Sequence, residues 1–199
     1  MTAAPTGAGR LPPTLVLRPL RWEDFEPLVA IYYELYDERA GGQPVGVSLF
    51  HRRPSRADEV DWFAGLYRRV LTDEVVVVIA EVEGRAVGNC TVGPEGPLRQ
   101  SDVGHIGVLG ILVDRRFRGQ GVGTALLVRT LEECRGRFEQ VRLSVFADNE
   151  RAIRIYRRLG FVPCGKIPRA IKRGAQYTDE DLMILDLAGW TPPSGSRNH

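Results

Sequence analysis

The chain has 199 residues, and its 27 Lys and Arg nearly balance its 25 Asp and Glu, which leaves a formal net charge of +2 at pH 7. This balance argues against a nucleic-acid-binding protein, which would show a strong basic excess on one face. The length suits one domain with a sizeable core, and no apolar run approaches the roughly 20 residues of a membrane-spanning helix. The three cysteines form no Cys-x-x-Cys pair, which indicates reduced thiols in a cytoplasmic protein and no zinc site.

Apolar periodicity and turn residues predict an alternation of strands and helices along most of the chain. Asp24 is the predicted N-cap of the first helix, Ser55 and Asp58 form a capping box before the second, and Glu83-Gly84-Arg85 is typical of a hairpin turn. The predicted elements, in order, are a strand at 14–19, helices at 25–36 and 55–70, strands at 74–81 and 86–92, a strand at 104–113, a helix from 122, a strand at 141–146, a helix over 149–159, and strands at 161–167 and 182–187.

These elements predict a single α/β domain over residues 14–188. Hairpins and crossover helices in one sheet imply a mixed, largely antiparallel sheet of about six to seven strands flanked by about four helices. Residues 1–13, rich in small residues and proline, predict a disordered lead-in, and residues 189–199 predict a flexible tail. Residues 37–54 have no clear period and predict an irregular loop.

A glycine-rich turn follows the strand at 104–113. Gly119, Gly121 and Gly123 alternate just before an amphipathic helix, where backbone amides without internal partners point outward at the positive end of the helix dipole. Such a turn suits a phosphate or pyrophosphate, although a strand-to-helix connection that binds no ligand could have the same glycine pattern. The third glycine comes one residue early for a dinucleotide-binding fingerprint, and no lysine lies near the turn as a P-loop requires, so neither nucleotide fold is supported.

The pattern Arg118-x-x-Gly121-x-Gly123 resembles the pyrophosphate-binding signature of the GNAT superfamily of N-acetyltransferases, whose ligand is acetyl-coenzyme A (acetyl-CoA). About 25 residues later the chain resembles the second signature of that superfamily, at Asn149, Ala152, Tyr156, Gly160 and Phe161. Two signatures in this order and spacing identify the chain as a member. The resemblance implies that the strands at 104–113 and 141–146 splay apart and that the pantetheine arm lies between them like an added strand.

The resemblance also implies the residues that contact the coenzyme. Those along the pantetheine are Ile111, Leu112 and Val113, and those around the pyrophosphate are Arg118, Gly119, Gln120, Gly121, Val122, Gly123 and Thr124. The backbone amide of Leu112 is expected to hold the oxyanion, and Tyr156 to donate a proton to the leaving thiolate. Tyr156 could instead be a core aromatic. Asn149 is expected either to contact the coenzyme or to serve only as a helix N-cap.

The general base is not determined by the motifs. Many relatives carry an acidic residue midway along the central strand, often three residues after a histidine, and here Val108 occupies that position. His105 has a suitable ordinary pKa for a base, and it could equally be a surface histidine. Tyr177, Asp179 and Glu34 are further candidates near the acceptor, as are two residues close to the irregular loop, Tyr36 and His51.

The resemblance implies acyl transfer to a primary amine, with no metal. A peptide or protein N-terminus is one class of acceptor, and a polyamine, an aminoglycoside or an amino acid is another. A coenzyme-binding regulatory module of the same fold is the alternative to an enzyme, because the strand carboxylate is missing. A homodimer is possible, since dimers are common among relatives.

Overall fold

The computed structural model describes residues 11–95 and 101–193, which form one α/β unit built on a seven-stranded sheet. The strands are β1 (Val16–Pro19), β2 (Val76–Val82), β3 (Arg85–Pro94), β4 (Ile106–Val113), β5 (Gln140–Phe146), β6 (Val162–Arg173) and β7 (Gln176–Asp186). The helices are α1 (Phe25–Ala40), α2 (Arg56–Leu71), α3 (Val122–Cys134) and α4 (Glu150–Arg158), with short 3-10 turns at Trp22–Asp24 and Arg115–Phe117. The strand order is β1-β2-β3-β4-β5-β7-β6.

The parallel pairing of β4 with β5 is short. It joins three residue pairs, from Ile106 opposite Gln140 to Val108 opposite Arg142. Beyond that point β4 stays paired with β3 as far as Val113, and β5 stays paired with β7, so the two halves of the sheet separate. The predicted mixed sheet with splayed central strands is confirmed.

Helices cover both faces of the sheet, and the alternation along β2 explains why. Val76 and Val78 belong to one apolar cluster with the buried faces of α3 and α4. Val77 and Ile79 point the other way, into a cluster with Phe63 and other residues of α1 and α2. Because successive side chains in a strand point to opposite faces, a continuous valine and isoleucine run becomes the centre of both layers.

Most predicted elements are observed, including the Ser55 capping box and the turn after β2. The last two strands are much longer than predicted and form a hairpin that turns at Gly174. Nearly every residue of β6 is exposed, so its sequence lacks the apolar alternation that would have revealed it.

The ends of the chain are only partly described. Residues 1–10 and 194–199, which hold most of the predicted lead-in and tail, lie outside the described residues. Within the predicted tail, Trp190 is buried and its Nε1 donates a hydrogen bond to the carbonyl of Leu159 at 2.8 Å. The packed part of the domain therefore continues to this residue.

A buried ion cluster joins β1 to the start of α1. The Arg18 guanidinium donates to both carboxylate oxygens of Asp24, at 2.8 and 2.7 Å, and to Glu81 of β2 at 2.5 Å. Asp24 also accepts from the backbone amide of Arg21 at 2.8 Å. Asp24 occupies the N-cap position of α1 without capping it, because its side chain is committed to Arg18 and Arg21.

Replacing Asp24 with Ala should reduce the free energy of unfolding by roughly 3 kcal/mol, because it leaves the buried Arg18 guanidinium with Glu81 as its one remaining carboxylate partner. Urea denaturation followed by circular dichroism measures the change. Glu150→Ala, which removes an exposed partner of Arg154, is the matched control and should change stability by less than about 0.5 kcal/mol. Equal effects of the two substitutions would contradict the role of the buried cluster.

Candidate active site

The gap between β4 and β5 exposes backbone groups of β4. At one end of the β3–β4 ladder the Ile106 carbonyl accepts from Glu95, and at the other the Asp114 amide donates to Val87, both at 2.9 Å. The register between them is unbroken, so even-numbered residues of β4 bond to β3 and odd-numbered residues face β5. The carbonyl of His105, which accepts from Glu139 at 2.9 Å, agrees with this alternation.

This alternation corrects the assignment of the oxyanion donor. The amide of Leu112 points toward Asn89 of β3, its register partner, and not into the gap. Ile111 and Val113 lie beyond the last pair of the β4–β5 ladder, and their amides and carbonyls face the gap. The sequence could not give the direction of each amide, because that direction depends on the register with β3.

The turn between β4 and α3 contains several backbone amides without hydrogen-bond partners among the described residues. The first helical hydrogen bond runs from Ala125 to the carbonyl of Gly121, at 3.0 Å. Within residues 11–95 and 101–193, the amides of 119–124 make no hydrogen bond. Gly121 has φ of 87°, a left-handed conformation that favours glycine and turns the chain into the helix. This row of donors at a helix N-terminus can hold a phosphate or pyrophosphate.

The Arg118 side chain is already engaged within the protein. It donates through both terminal nitrogens to the buried Glu38 carboxylate, at 2.8 and 3.0 Å, and through Nε to the Val113 carbonyl at 2.8 Å. Arg118 therefore fastens the glycine turn to α1 and to the end of β4. Sequence analysis missed Glu38 because its partner lies 80 residues away.

Arg151 is a cation at this turn that the sequence analysis did not identify. Its side chain lies against Gly119, with Nη2 at 3.0 Å from the position of a Cβ atom built on that glycine. Arg151 is exposed, and its guanidinium makes no hydrogen bond or ion pair with another described residue. A free cation beside the row of amides adds to an anion site.

A cleft of about 240 Å³ continues from this turn into the gap between the strands. Its walls include backbone and side chains from β4, α3 and α4. The lining residues that sequence analysis had singled out are Ile111, Leu112, Val113, Arg118, Gly123, Asn149, Ala152 and Tyr156. The cleft thus collects residues of both signatures, which are distant in the sequence. We call it the coenzyme cleft.

Asn149 and Tyr156 reach the coenzyme cleft from α4. Asn149 is the N-cap, and its Oδ1 accepts from the amide of Ala152 at 3.2 Å. Tyr156 is buried and packs edge-on against Phe161, with ring centroids 5.8 Å apart. Burial raises the pKa of the Tyr156 phenol to about 12, so the hydroxyl stays protonated at neutral pH.

A second cavity, of about 540 Å³, opens on the α1 and α2 side of the same strand. It shares Val47, Ile111 and Leu112 with the coenzyme cleft, so the two spaces meet at β4. We call it the acceptor cavity. Its other lining residues are Leu28, Tyr32, Phe50, Pro54, Asp58, Glu59, Trp62, Asn89, Thr91 and Gly110.

Glu59 is the buried carboxylate of the acceptor cavity. The residue is only 4% exposed, and Oε1 is buried without a hydrogen-bond partner among the described residues. Burial raises the pKa of Glu59 above its ordinary value, and the neighbouring Asp58 raises it further. An unpaired carboxylate inside a cavity is a candidate base or cation-binding group. Its sequence signal was weak, because a Glu in the first turn of a helix is ordinary.

The predicted acceptor residues on α1 lie outside the lining of the acceptor cavity. Tyr32 lines it, whereas Tyr36 is buried one turn later with its hydroxyl 3.4 Å from that of Tyr32. Burial raises the pKa of Tyr32 above the usual range for a phenol. Glu34 has a buried Oε2 without a partner among the described residues, but its charge acts on Arg116, at the end of β4, and it lines neither cavity.

The other residues predicted as bases or acceptor contacts do not line the place where the two cavities meet. His105 is exposed and precedes β4, roughly 20 Å from Ile111 by strand rise. Tyr177 stacks on Arg169, whose guanidinium lies 4.0 Å from the ring centroid, and Asp179 accepts from the Arg169 amide at 2.9 Å. Neither these two residues nor the exposed His51 lines either cavity.

Residues 11–95 and 101–193 contain neither a metal-binding cluster nor a membrane-spanning helix. Among these residues there is no group of three or more His, Cys, Asp or Glu side chains arranged to hold a metal ion. Likewise, no described helix combines the length and apolar character needed to cross a bilayer.

Curated proteins similar to this chain include N-acetyltransferases. The L-amino acid N-acetyltransferase AaaT of Escherichia coli strain K12 is 33% identical over 108 residues, which are 53% of this chain and 65% of AaaT. An uncharacterised N-acetyltransferase of Methanocaldococcus jannaschii is 28% identical over 151 residues, which are 74% of this chain and 61% of that protein. The chain thus spans less than two thirds of the length of these relatives.

The chain also resembles solved acetyltransferase structures and matches a family model. The Salmonella typhimurium acetyltransferase yncA, whose structure was determined with its cofactor acetyl-CoA, matches with a TM-score of 0.73 at 19% identity, covering 92% of this chain and 99% of yncA. This likeness shows the fold. The model of the acetyltransferase (GNAT) family matches residues 15–161, which include both the glycine turn and Tyr156. The chain therefore belongs to the GNAT acetyltransferase family.

Proposed function

We propose that this protein transfers the acetyl group of acetyl-CoA to a primary amine by direct attack. The observation that carries the proposal is the meeting of the coenzyme cleft and the acceptor cavity at Ile111 and Leu112. A thioester and an amine that enter from opposite sides of β4 would come together there, which converts a bimolecular encounter into a local one. An acceptor cavity of about 540 Å³ favours a small amine over a folded protein terminus.

The free amides and strand edge fit acetyl-CoA. The amides of 119–124 would hold the pyrophosphate, with Arg151 adding charge, and the Ile111 carbonyl and the Val113 amide would bond the pantetheine arm as a neighbouring strand does. When bound, acetyl-CoA supplies an activated acyl group on a thiolate leaving group. The fit rests on donors that the described chain leaves unused.

The amide of Ile111 would stabilise the carbonyl oxygen as negative charge develops on it. This amide faces the gap at the meeting point of the two cavities, and a fixed donor costs no reorganisation during the reaction. Tyr156 would then donate its phenolic proton toward the leaving sulfur. Its pKa of about 12 keeps the proton available at neutral pH.

Glu59 would bind the acceptor ammonium and accept its proton before attack. It is the buried carboxylate in the cavity lining, and its raised pKa brings it closer to neutral pH than an exposed glutamate. This assignment replaces the strand carboxylate, whose position is held by Val108. A base on α2 instead of β4 would approach the amine from the helix side of the cavity.

Replacing Tyr156 with Phe should lower kcat by about 100-fold or more, because it removes the proton donor while keeping the ring. The KM for acetyl-CoA should change little. Thiol release with a panel of primary amines measures both constants. Tyr67→Phe is the control, since Tyr67 packs on Phe63 away from both cavities, and it should keep the parent rate. A parent-like rate for Tyr156→Phe would assign Tyr156 to the core alone.

Replacing Arg151 with Ala should raise the Kd for acetyl-CoA by about 10-fold, the loss expected for one charge-assisted contact. Calorimetric titration at low and high salt measures it, and the difference between variant and parent should shrink as salt screens the charge. Arg154→Ala on the same helix is the control, because the Arg154 guanidinium is paired with Glu150. Equal Kd values for the two variants would exclude Arg151 from the site.

Replacing Glu59 with Gln should lower kcat/KM and remove the acidic limb of the pH profile. In the parent, the rate should fall as pH drops through the raised pKa of Glu59, since only the carboxylate accepts a proton.

The same substitution should stabilise the fold. A carboxyl with a raised folded-state pKa stabilises below its ordinary value of 4.5 and loses that contribution as pH rises.

At about pH 8 the free energy of unfolding of the Gln variant should therefore exceed that of the parent by about 1–3 kcal/mol, and its melting temperature should be higher. Both differences should vanish in acid. Thermal unfolding across pH measures this. A retained acidic limb in the Gln variant would show that another group is the base.

A further inference from the structure

We infer that the acceptor is a primary amine on an apolar, preferably aromatic body, and that the cavity rejects the same amine when it carries an α-carboxylate. This inference rests on the proposed function and narrows its substrate class. It comes from the composition of the acceptor cavity, in which the charged groups are all acidic and the remaining walls are mostly apolar.

The apolar wall comes from aromatic and aliphatic side chains on three different segments. Tyr32 of α1, Trp62 of α2 and Phe50 of the connecting loop surround the space, with Leu28 and Val47. Trp62 is 48% exposed and Phe50 is 69% exposed, so large aromatic surfaces face the cavity and its mouth without being covered. Exposed apolar surface around a concave site is typical of a ligand that supplies the missing contacts.

The acidic groups are Glu59 and Asp58. Glu59 is buried with an unpaired Oε1, whereas Asp58 accepts from the amide and hydroxyl of Ser55, at 2.7 and 2.8 Å. These bonds lower the pKa of Asp58, so it remains ionised. An ammonium group is the ligand chemistry that would satisfy the buried Glu59 oxygen.

A carboxylate next to that ammonium would meet no cation among the described residues of the cavity lining. None of the described residues that line the acceptor cavity is Arg, Lys or His. The nearby Arg39 donates to the Phe50 carbonyl and lies over Tyr36, and Arg53 lies over the Tyr33 ring. Neither guanidinium lines the cavity, although Arg39 is bonded to the lining residue Phe50. Arg52, whose charge helps to lower the pKa of Asp58, also lies outside the lining.

Arg69 lies in an adjoining recess that shares Trp62, Asn89 and Thr91 with the cavity. Its Nε is 3.5 Å from Glu74, and the recess meets β4 at Val108, roughly 10 Å before Ile111 by strand rise. An α-carboxylate is attached to the carbon that bears the amine. It would therefore lie beside Glu59 and Asp58, where like charges repel in an apolar space.

Three matched probes test the inference: phenethylamine, L-phenylalaninamide and L-phenylalanine. All three share the phenyl ring and the amine. L-phenylalaninamide differs from L-phenylalanine only in carrying a neutral amide where the amino acid carries a carboxylate. We expect kcat/KM for the first two to exceed that for L-phenylalanine by about 100-fold, which corresponds to the cost of unrelieved charge repulsion. A value for L-phenylalanine equal to that for its amide overturns the inference, although the proposed function would stand.

Calorimetric binding of the same probes to the protein loaded with coenzyme A separates recognition from catalysis. The amide should bind about 100-fold more tightly than the acid. Glu59→Gln should remove most of that preference, whereas Asp61→Asn, which changes an exposed carboxylate on the same helix, should preserve it. If no probe is acetylated, the proposed function fails, and the binding comparison still decides the inference. Equal binding, or no binding, of amide and acid overturns it.

Discussion

The early end of the β4–β5 ladder is the constraint on which the rest of the site depends. After Val108 and Arg142 each strand keeps its outer neighbour and loses its inner one, so the amides of Ile111 and Val113 and the carbonyl of Ile111 face the gap without a strand partner. Unpaired strand groups are costly when buried and invite an added strand. The coenzyme cleft and the acceptor cavity both border this opening, and residues of β4 line both.

Charge is treated differently in the scaffold and in the site. Arg18, Asp24 and Arg118 are held in satisfied hydrogen-bonded pairs that fix β1, the start of α1 and the glycine turn. Glu59 and Arg151 are left without such partners among the described residues. Satisfied buried pairs rigidify a fold, whereas a buried carboxylate oxygen without a partner costs stability. Glu34 has such an oxygen too, but only Glu59 lines a cavity.

Local chemistry made much of the architecture predictable. The capping box at Ser55, the hairpin before β3 and the glycine turn before α3 depend on neighbouring residues, so a sequence reports them directly. The β6–β7 hairpin was predicted too short because its exposed residues show no apolar alternation. The sequence left His105 open as a base or a surface histidine, because a strand pattern does not say which end of the strand borders a cavity.

The sequence by itself determined the family, the sheet with its four helices, and the glycine turn before α3, because each follows from short-range spacing. Only the tertiary structure decided that the amide of Ile111, and not that of Leu112, faces the gap, since that direction depends on register with β3. It also decided that Glu38 holds Arg118 and that Glu59 enters the acceptor cavity. Those contacts join residues far apart in the chain, and burial changes what an ordinary glutamate can do.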